Sequence, residues 1–138
     1  FFGIAKAFER TIRGAFAKLN PNVYVLRLMK VSMMDTTGQR ALEGILHLAK
    51  RENKKVIFTR ANTQVSRMLE DFQEEELLGS DAIVTNTDEA IRTAMVYMNP
   101  SICSTCTSRV FSECAMQPDN SRSTNINPDT NKPPITPL

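Results

Sequence analysis

The stretch Val31-Ser-Met-Met-Asp-Thr-Thr-Gly38 carries an apolar run directly into a short polar turn. A helical pattern follows at once, from Gln39 to about Lys50. The apolar run predicts a strand that ends at the turn, and a helix that begins there offers free backbone amides and the positive end of its dipole. We call the turn the 35–38 corner, and it consists of Asp35, Thr36, Thr37 and Gly38. Such a corner can bind an anion, accept a phosphate or simply cap a helix.

Helix capping alone is a sufficient explanation of these residues. Thr36 suits the N-cap position, and Gln39 three residues later completes a Thr-x-x-Gln capping box. A cap of this kind contributes ~1 kcal/mol. Asp35 adds favourable charge near the helix start, and Gly38 permits close approach of a backbone or a ligand. Local physics therefore favours capping over phosphate chemistry.

Length and composition limit the remaining possibilities. The chain has 138 residues, of which 41% are hydrophobic and 23% charged, which is typical of one soluble domain with a tail. A net charge of +2 and the lack of a basic run interleaved with aromatics argue against a nucleic-acid partner. No apolar stretch approaches the ~20 residues of a membrane span, and there is no signal-peptide pattern. Because the sequence begins at Phe1 rather than Met, we interpret it as a fragment.

The first 20 residues predict an amphipathic helix that ends at Pro21. Its apolar stripe repeats every four residues and consists of Ile4, Phe8, Ile12 and Phe16, widened by Ala7, Ala15 and Leu19. The opposite face is basic and consists of Lys6, Arg10 and Arg13. This basic face is expected to point away from the domain.

Apolar runs and helical stripes then alternate along the chain. Strands are predicted near residues 23–34, 56–59 and 82–85, and the first of them is apolar enough for a central strand buried on both faces. Helices are predicted behind each strand, and Gly79 is the expected C-cap of the second of these. The order β-α-β-α-β-α predicts an α/β fold, with helices packed on a mainly parallel sheet.

The composition changes near Asn99. Residues 117–138 hold five of the seven prolines and few apolar residues, so this segment is predicted to be a flexible tail with no core of its own. The predicted organisation is a domain over residues 1–99 and a polar tail, rich in Pro, Asn, Ser and Thr, over residues 100–138. Three cysteines lie in this second segment: Cys103, Cys106 and Cys114. The Cys-x-x-Cys spacing is compatible with metal or redox chemistry, but the single histidine, His47, lies within a predicted helix. Reduced, incidental thiols and no metal site are the expectation.

The sequence offers no set of catalytic residues. It has one histidine, no paired carboxylates on neighbouring elements and no glycine-rich phosphate loop. The acidic cluster between Glu70 and Glu76 is best interpreted as a solvated helix face. We therefore expect neither an enzyme nor a bound cofactor.

Taken together, these features resemble a STAS domain, the module shared by sulfate-permease-type anion transporters and anti-sigma factor antagonists. The resemblance covers roughly residues 1–99 and rests on the strand that ends in Asp35-Thr-Thr-Gly38 with its following helix. The strand at 56–59, the acidic helix up to Gly79 and the Thr87-Asp-Glu-Ala90 helix support it. The Asp-Thr-Thr-Gly turn is the most specific of these elements.

Within that family the chain is most similar to the transporter branch. Phe1-Phe-Gly3 followed by a helix resembles the Phe-Phe-Gly start of the transporter modules, which follow the last membrane-spanning segment on the cytoplasmic side. The long polar C-terminal tail also departs from the free-standing antagonists. The resemblance implies that the opening strand of the module and its turn are truncated here, so we expect the full domain to begin upstream of Phe1.

The resemblance implies regulation or assembly of a membrane anion transporter, at the cytoplasmic face of the cell membrane, rather than catalysis. Its implied partners are the protein's own transmembrane domain, a regulatory protein or nucleotide, and the inner-leaflet surface, which Lys6, Arg10 and Arg13 would face. In the antagonist branch the second hydroxyl of the turn accepts a phosphate, and the matching residue is Thr37. A soluble phospho-switch and a nucleotide-binding regulatory module remain the alternatives.

Overall fold

The structure is a computed structural model that describes residues 2–116, with side chains from Lys6 to Ala115. It divides into two compact units, Phe1–Tyr97 and Met98–Leu138. The flexible tail predicted for residues 117–138 lies outside the described residues. No helix within residues 2–116 combines the length and the hydropathy that a membrane span requires.

The first unit alternates helices and strands. Its elements are α1 (Phe2–Leu19), β1 (Val23–Arg27), α2 (Thr36–Arg51), β2 (Lys55–Thr59), α3 (Thr63–Glu74), β3 (Ile83–Val84) and α4 (Thr87–Tyr97). The three strands form a parallel sheet in the order β1-β2-β3, with Val23 opposite Lys55 and Phe58 opposite Ile83. The predicted α/β fold with a parallel sheet and packed helices is confirmed.

Strand β2 forms the centre of the core because its side chains alternate between two packed faces. Phe58 is fully buried in a cluster with α1, α2 and α3, whose members include Phe16, Ile45 and Leu69. Ile57 points to the other face, where it packs with Ala90 and Ala94 of α4. Helices therefore cover both faces of the sheet.

The predicted first strand is too long and takes the wrong place in the sheet. β1 ends at Arg27, and Val31 N donates to Leu28 O at 2.9 Å, which closes a turn where the strand was expected to continue. Residues 31–34 consequently form an irregular segment rather than a strand. Within residues 2–116, β1 pairs only with β2 and lies at the sheet edge, while β2 takes the central position predicted for the first strand.

Helix α1 follows the predicted bounds and most of the predicted stripe. Ile12 and Phe16 are buried and Phe8 packs against the core. Leu19 is 77% exposed because it is the last residue of the helix, and Ala7 is exposed because it lies off the stripe. Both were wrongly placed in the apolar face, and the side chain of Ile4 lies outside the described part.

Helix α3 ends at Glu74, five residues before Gly79, so Gly79 is not its C-cap. Glu75 occupies the C-cap, and Glu76 takes the left-handed backbone conformation with φ 59°. Leu77 N and Leu78 N both donate to Phe72 O, so the chain turns away from the helix before it reaches Gly79.

The second unit is described up to Met116. It contains a short helix, α5 (Pro100–Thr105), capped by Asn99, and a 3₁₀ turn at Ser112–Met116. Cys103, Cys106 and Cys114 are free thiols. In the part of the chain that the structure describes, no group of three His, Cys, Asp or Glu side chains has a metal-binding arrangement.

Candidate regulatory corner

The 35–38 corner begins helix α2 where the irregular loop from β1 ends. Asp35 is the N-cap: its backbone is extended, with φ −82° and ψ 176°, and its Oδ1 accepts from Gly38 N at 2.8 Å. Gln39 N donates to Asp35 O at 2.9 Å, which is the first hydrogen bond of the helical ladder. The carboxylate thus satisfies one of the orphan amides of the helix start.

The prediction that Thr36 caps this helix is wrong by one residue. Thr36 is the first residue of α2, so the Thr-x-x-Gln capping box does not form. Both residue types are good caps, and Asp ranks somewhat above Thr. With Asp35 as the N-cap, the third helical residue is Gly38. Gly38 has no side chain that could accept a hydrogen bond from the backbone amide of Asp35, as the third residue of a capping box does.

The two hydroxyls of the corner differ in exposure. Thr36 is exposed, Thr37 is half-buried and Gly38 is buried. Within residues 2–116, the amides of Thr36 and Thr37 have no hydrogen-bond acceptor, whereas the amide of Gly38 is taken by Asp35. Two backbone donors therefore remain at the positive end of the helix, beside a carboxylate that already occupies the third.

An amide side chain from the start of α3 holds the loop that leads into the corner. Asn62 Nδ2 donates to Val31 O at 3.1 Å and to Ser32 O at 2.7 Å. The same residue caps α3, because its Oδ1 accepts from Val65 N at 2.9 Å. Sequence reasoning missed this role. The position of Asn62 before α3 indicates a cap, but no local pattern shows a contact 30 residues back along the chain.

The basic residues of α1 are exposed, as expected, but they are not equivalent. Lys6 and Arg10 are exposed, whereas Arg13 Nε donates to Glu9 Oε1 at 2.9 Å. The guanidinium of Arg13 also lies against Gly44 of α2, 3.6 Å from the point that a Cβ on this glycine would occupy. Lys6 and Arg10 are therefore more available than Arg13 for contacts outside the domain.

A polar network ties the start of β2 to the loop before β3 and to the end of α4. Lys55 Nζ and Tyr97 Oη both donate to the carboxylate of Asp81. The ammonium of Lys55 also lies 4.3 Å from the centre of the Tyr97 ring. The hydrogen bonds from Lys55 and Tyr97 lower the pKa of Asp81 below its usual value. Sequence reasoning did not predict this network.

In the second unit, Cys106 is an exposed thiol whose pKa lies below its ordinary value. Hydrogen bonds from the backbone amides of Ser108 and Arg109 lower its pKa, and the charge of Arg109 acts in the same direction.

Comparison with known proteins bears on this geometry. The family model of the STAS domain matches residues 1–93, which include the sheet and the 35–38 corner. The chain belongs to the STAS domain family. The resemblance inferred from the Asp-Thr-Thr-Gly turn is thereby confirmed.

A solved STAS domain is similar to this one in both sequence and fold. The STAS domain of a SulP transporter from Vibrio cholerae is 30% identical, with a TM-score of 0.52, and the match covers 70% of this chain and 73% of that one. Among curated proteins, no match to the chain was found.

Proposed function

We propose that this STAS domain is the cytoplasmic regulatory and assembly domain of a SulP-type membrane anion transporter, and that it has no catalytic role. The observation that carries the proposal is the 30% identity to the STAS domain of a SulP transporter. In this proposal its first partner is the transmembrane domain of the same protein, which transports a sulfate-type anion. The domain then lies at the inner face of the cell membrane.

The 35–38 corner is the proposed regulatory surface. A phosphate on Thr37 would add about −1.5 to −2 charges at pH 7 next to two unpaired amides at a helix N-terminus. The same charge would repel the Asp35 carboxylate, which holds the cap by its bond to Gly38 N. Modification would therefore place a second, more highly charged acceptor at the helix start, which is a switch in local charge.

Sulfate uptake by membrane vesicles that contain the complete protein tests this proposal. Thr37→Glu is expected to change the initial uptake rate while leaving the amount of protein in the membrane unchanged. Gln64→Glu is the matched control. Gln64 is the second residue of α3, which Asn62 caps, just as Thr37 is the second residue of α2, which Asp35 caps. Both substitutions introduce the same carboxylate. Uptake by Gln64→Glu is expected to equal that of the wild type.

Two results would contradict the proposal at different levels. If the complete protein that contains this domain has no membrane-spanning segments, the domain does not belong to a transporter. Equal uptake by the wild type, Thr37→Glu and Gln64→Glu would leave the transporter role intact and reduce the corner to a helix cap.

A further inference from the structure

An apolar groove lies between α1, α2 and the loop that joins β1 to α2. It encloses about 460 Å³, which is within the range of small-molecule sites in proteins. Phe8 of α1 and Leu42 of α2 form two of its walls, and Met33 and Met34 of the loop form another. This groove is separate from the hydroxyls of the 35–38 corner, although Met34 directly precedes Asp35.

Two cations line the same groove without an acidic partner. Arg27 and Lys30 are both exposed lining residues, and no acidic side chain lines the groove with them. Within residues 2–116, neither cation has a carboxylate within 4.0 Å, since the ion pairs there involve other residues. Arg27 Nη2 approaches the thioether of Met29 at 3.4 Å, and thioether sulfur is a weak acceptor.

Two methionines of this loop are exposed: Met33, which lines the groove, and Met29, which contacts Arg27. Met33 is 58% exposed and Met29 is 54% exposed, in a segment without regular secondary structure. Methionine side chains are unbranched and polarizable, so they adapt to ligands of varied shape. An apolar wall of this kind beside two unneutralised cations complements a ligand that is apolar at one end and anionic at the other.

We propose that this groove is a binding site for a small amphiphilic anion. Its apolar body packs against Phe8, Met33 and Met34, and its carboxylate or phosphate pairs with Arg27 and Lys30. A neutral apolar ligand would leave both cations unpaired, and a bare inorganic anion would leave the apolar walls in water. The site goes beyond the proposed function, because binding is a property of the chain itself and does not require transport.

Binding of dodecanoate to the 138-residue chain, followed by calorimetry and by amide chemical shifts, tests the site. Shift changes are expected at Phe8 and in residues 28–34, next to the groove. Dodecanol, which has the same chain and no charge, is expected to bind more weakly than dodecanoate. The double variant Arg27→Gln/Lys30→Gln is expected to raise the dissociation constant for dodecanoate by about tenfold, since two exposed ion pairs are lost.

The control is a double variant that loses the same amount of positive charge on helices that do not line the groove. Arg67→Gln/Arg92→Gln removes two exposed guanidinium groups from α3 and α4, and its affinity for dodecanoate is expected to equal that of the wild type. The proposal is overturned if dodecanoate does not bind, if dodecanol binds as tightly, or if the two double variants behave alike. Because these measurements contain no transport step, they fail independently of the transporter assay.

Discussion

Asp35 is the residue that determines where α2 begins, because its carboxylate accepts from Gly38 N and its carbonyl accepts from Gln39 N. Asp35→Ala is expected to lower the free energy of unfolding by ~1 kcal/mol, the usual cost of losing an N-cap. Urea denaturation followed by circular dichroism measures this loss.

Two neighbouring substitutions serve as controls for the cap. Asp35→Asn keeps a good capping oxygen and is expected to retain most of the stability. Thr36→Ala changes an exposed residue of the first turn and is expected to alter the free energy of unfolding by less than about 0.5 kcal/mol. A larger loss for Thr36→Ala than for Asp35→Ala would show that the hydroxyl, and not the carboxylate, caps the helix in solution.

Asn62 supports the corner through its amide nitrogen, and this contribution can be separated from its cap. Asn62→Asp keeps the acceptor for Val65 N but cannot donate to Val31 O and Ser32 O. The expected result is a loss of about 1 kcal/mol of stability and faster amide hydrogen exchange in residues 31–35.

Asn86→Asp is the matched control for that variant. Asn86 Oδ1 accepts from Glu89 N at 2.8 Å, so it caps α4, and no hydrogen bond from its amide nitrogen to another loop is observed within residues 2–116. Exchange in residues 31–35 is expected to stay unchanged in this control. Equal exchange in Asn62→Asp and the wild type would show that the bonds to Val31 and Ser32 do not hold the loop.

For single residues, the sequence predicts that the corner caps a helix better than it predicts which residue is the N-cap. Asp35 and Thr36 are adjacent and both are good caps, so only the position of the first helical turn decides between them. The clamp by Asn62 depends on the loop from β1 passing the start of α3, which is a tertiary contact that local patterns do not contain.

Among the elements, α1 presents a basic face that the proposed function places near the inner leaflet. Lys6→Glu/Arg10→Glu is expected to weaken binding to vesicles that contain anionic lipid, since each cation near such a surface contributes about 1 kcal/mol. Adding Arg13→Glu is expected to have a smaller effect because Arg13 is already paired with Glu9. Co-sedimentation with phosphatidylserine vesicles measures the difference.

The control for α1 is a charge reversal on other helices. Arg67→Glu/Arg92→Glu changes the net charge by the same amount on α3 and α4. If both double variants lose the same amount of binding, net charge rather than the face of α1 accounts for it. Sedimentation that does not depend on anionic lipid would remove the membrane role of α1.

The presence of a helix and its buried face were easier to predict than the residues at which strands and helices end. The stripe that contains Leu42, Ile45 and Leu46 shows the period of an amphipathic helix, and all three residues are buried in α2. The segment from Val31 to Met34 has equally apolar residues but follows a turn, and its side chains line a groove instead of pairing with a strand. An apolar run alone does not distinguish a strand from such a loop.

For the whole molecule, the alternation of strands and helices is sufficient to predict a parallel α/β sheet, because parallel neighbours require a crossover between them. The order of the strands is less accessible from sequence. The apolar residues of β1 suit a central strand, and they do pack on both faces, with Tyr24 and Leu26 on one and Val23 and Val25 on the other. Within residues 2–116, however, β2 is the strand with hydrogen-bonded neighbours on both sides. Helix α4 packs against both strands, so the pairing of β2 with β3 is what makes β2 central, and the apolar pattern of neither strand reveals that pairing.

The pH dependence of stability tests the network that joins β2, the loop before β3 and α4. The pKa of Asp81 is lowered in the folded state by the hydrogen bonds from Lys55 and Tyr97. A carboxyl with a lowered folded-state pKa contributes stability that is fully present above its unfolded-state pKa, about 3.9. That contribution is lost as the pH falls through the folded-state value. The free energy of unfolding is therefore expected to decline on acidification below about pH 4.

Asp81→Asn isolates this contribution because it removes the titrating group and keeps an oxygen that can still accept a hydrogen bond. The variant is expected to be less stable than the wild type at pH 7, and the two are expected to converge as the pH falls. Asp71→Asn is the control, since Asp71 is an exposed carboxyl on the outer face of α3. Its stability is expected to follow that of the wild type at every pH. Urea denaturation across a pH series distinguishes these outcomes, and a constant difference between Asp81→Asn and the wild type would show that Asp81 does not titrate with folding.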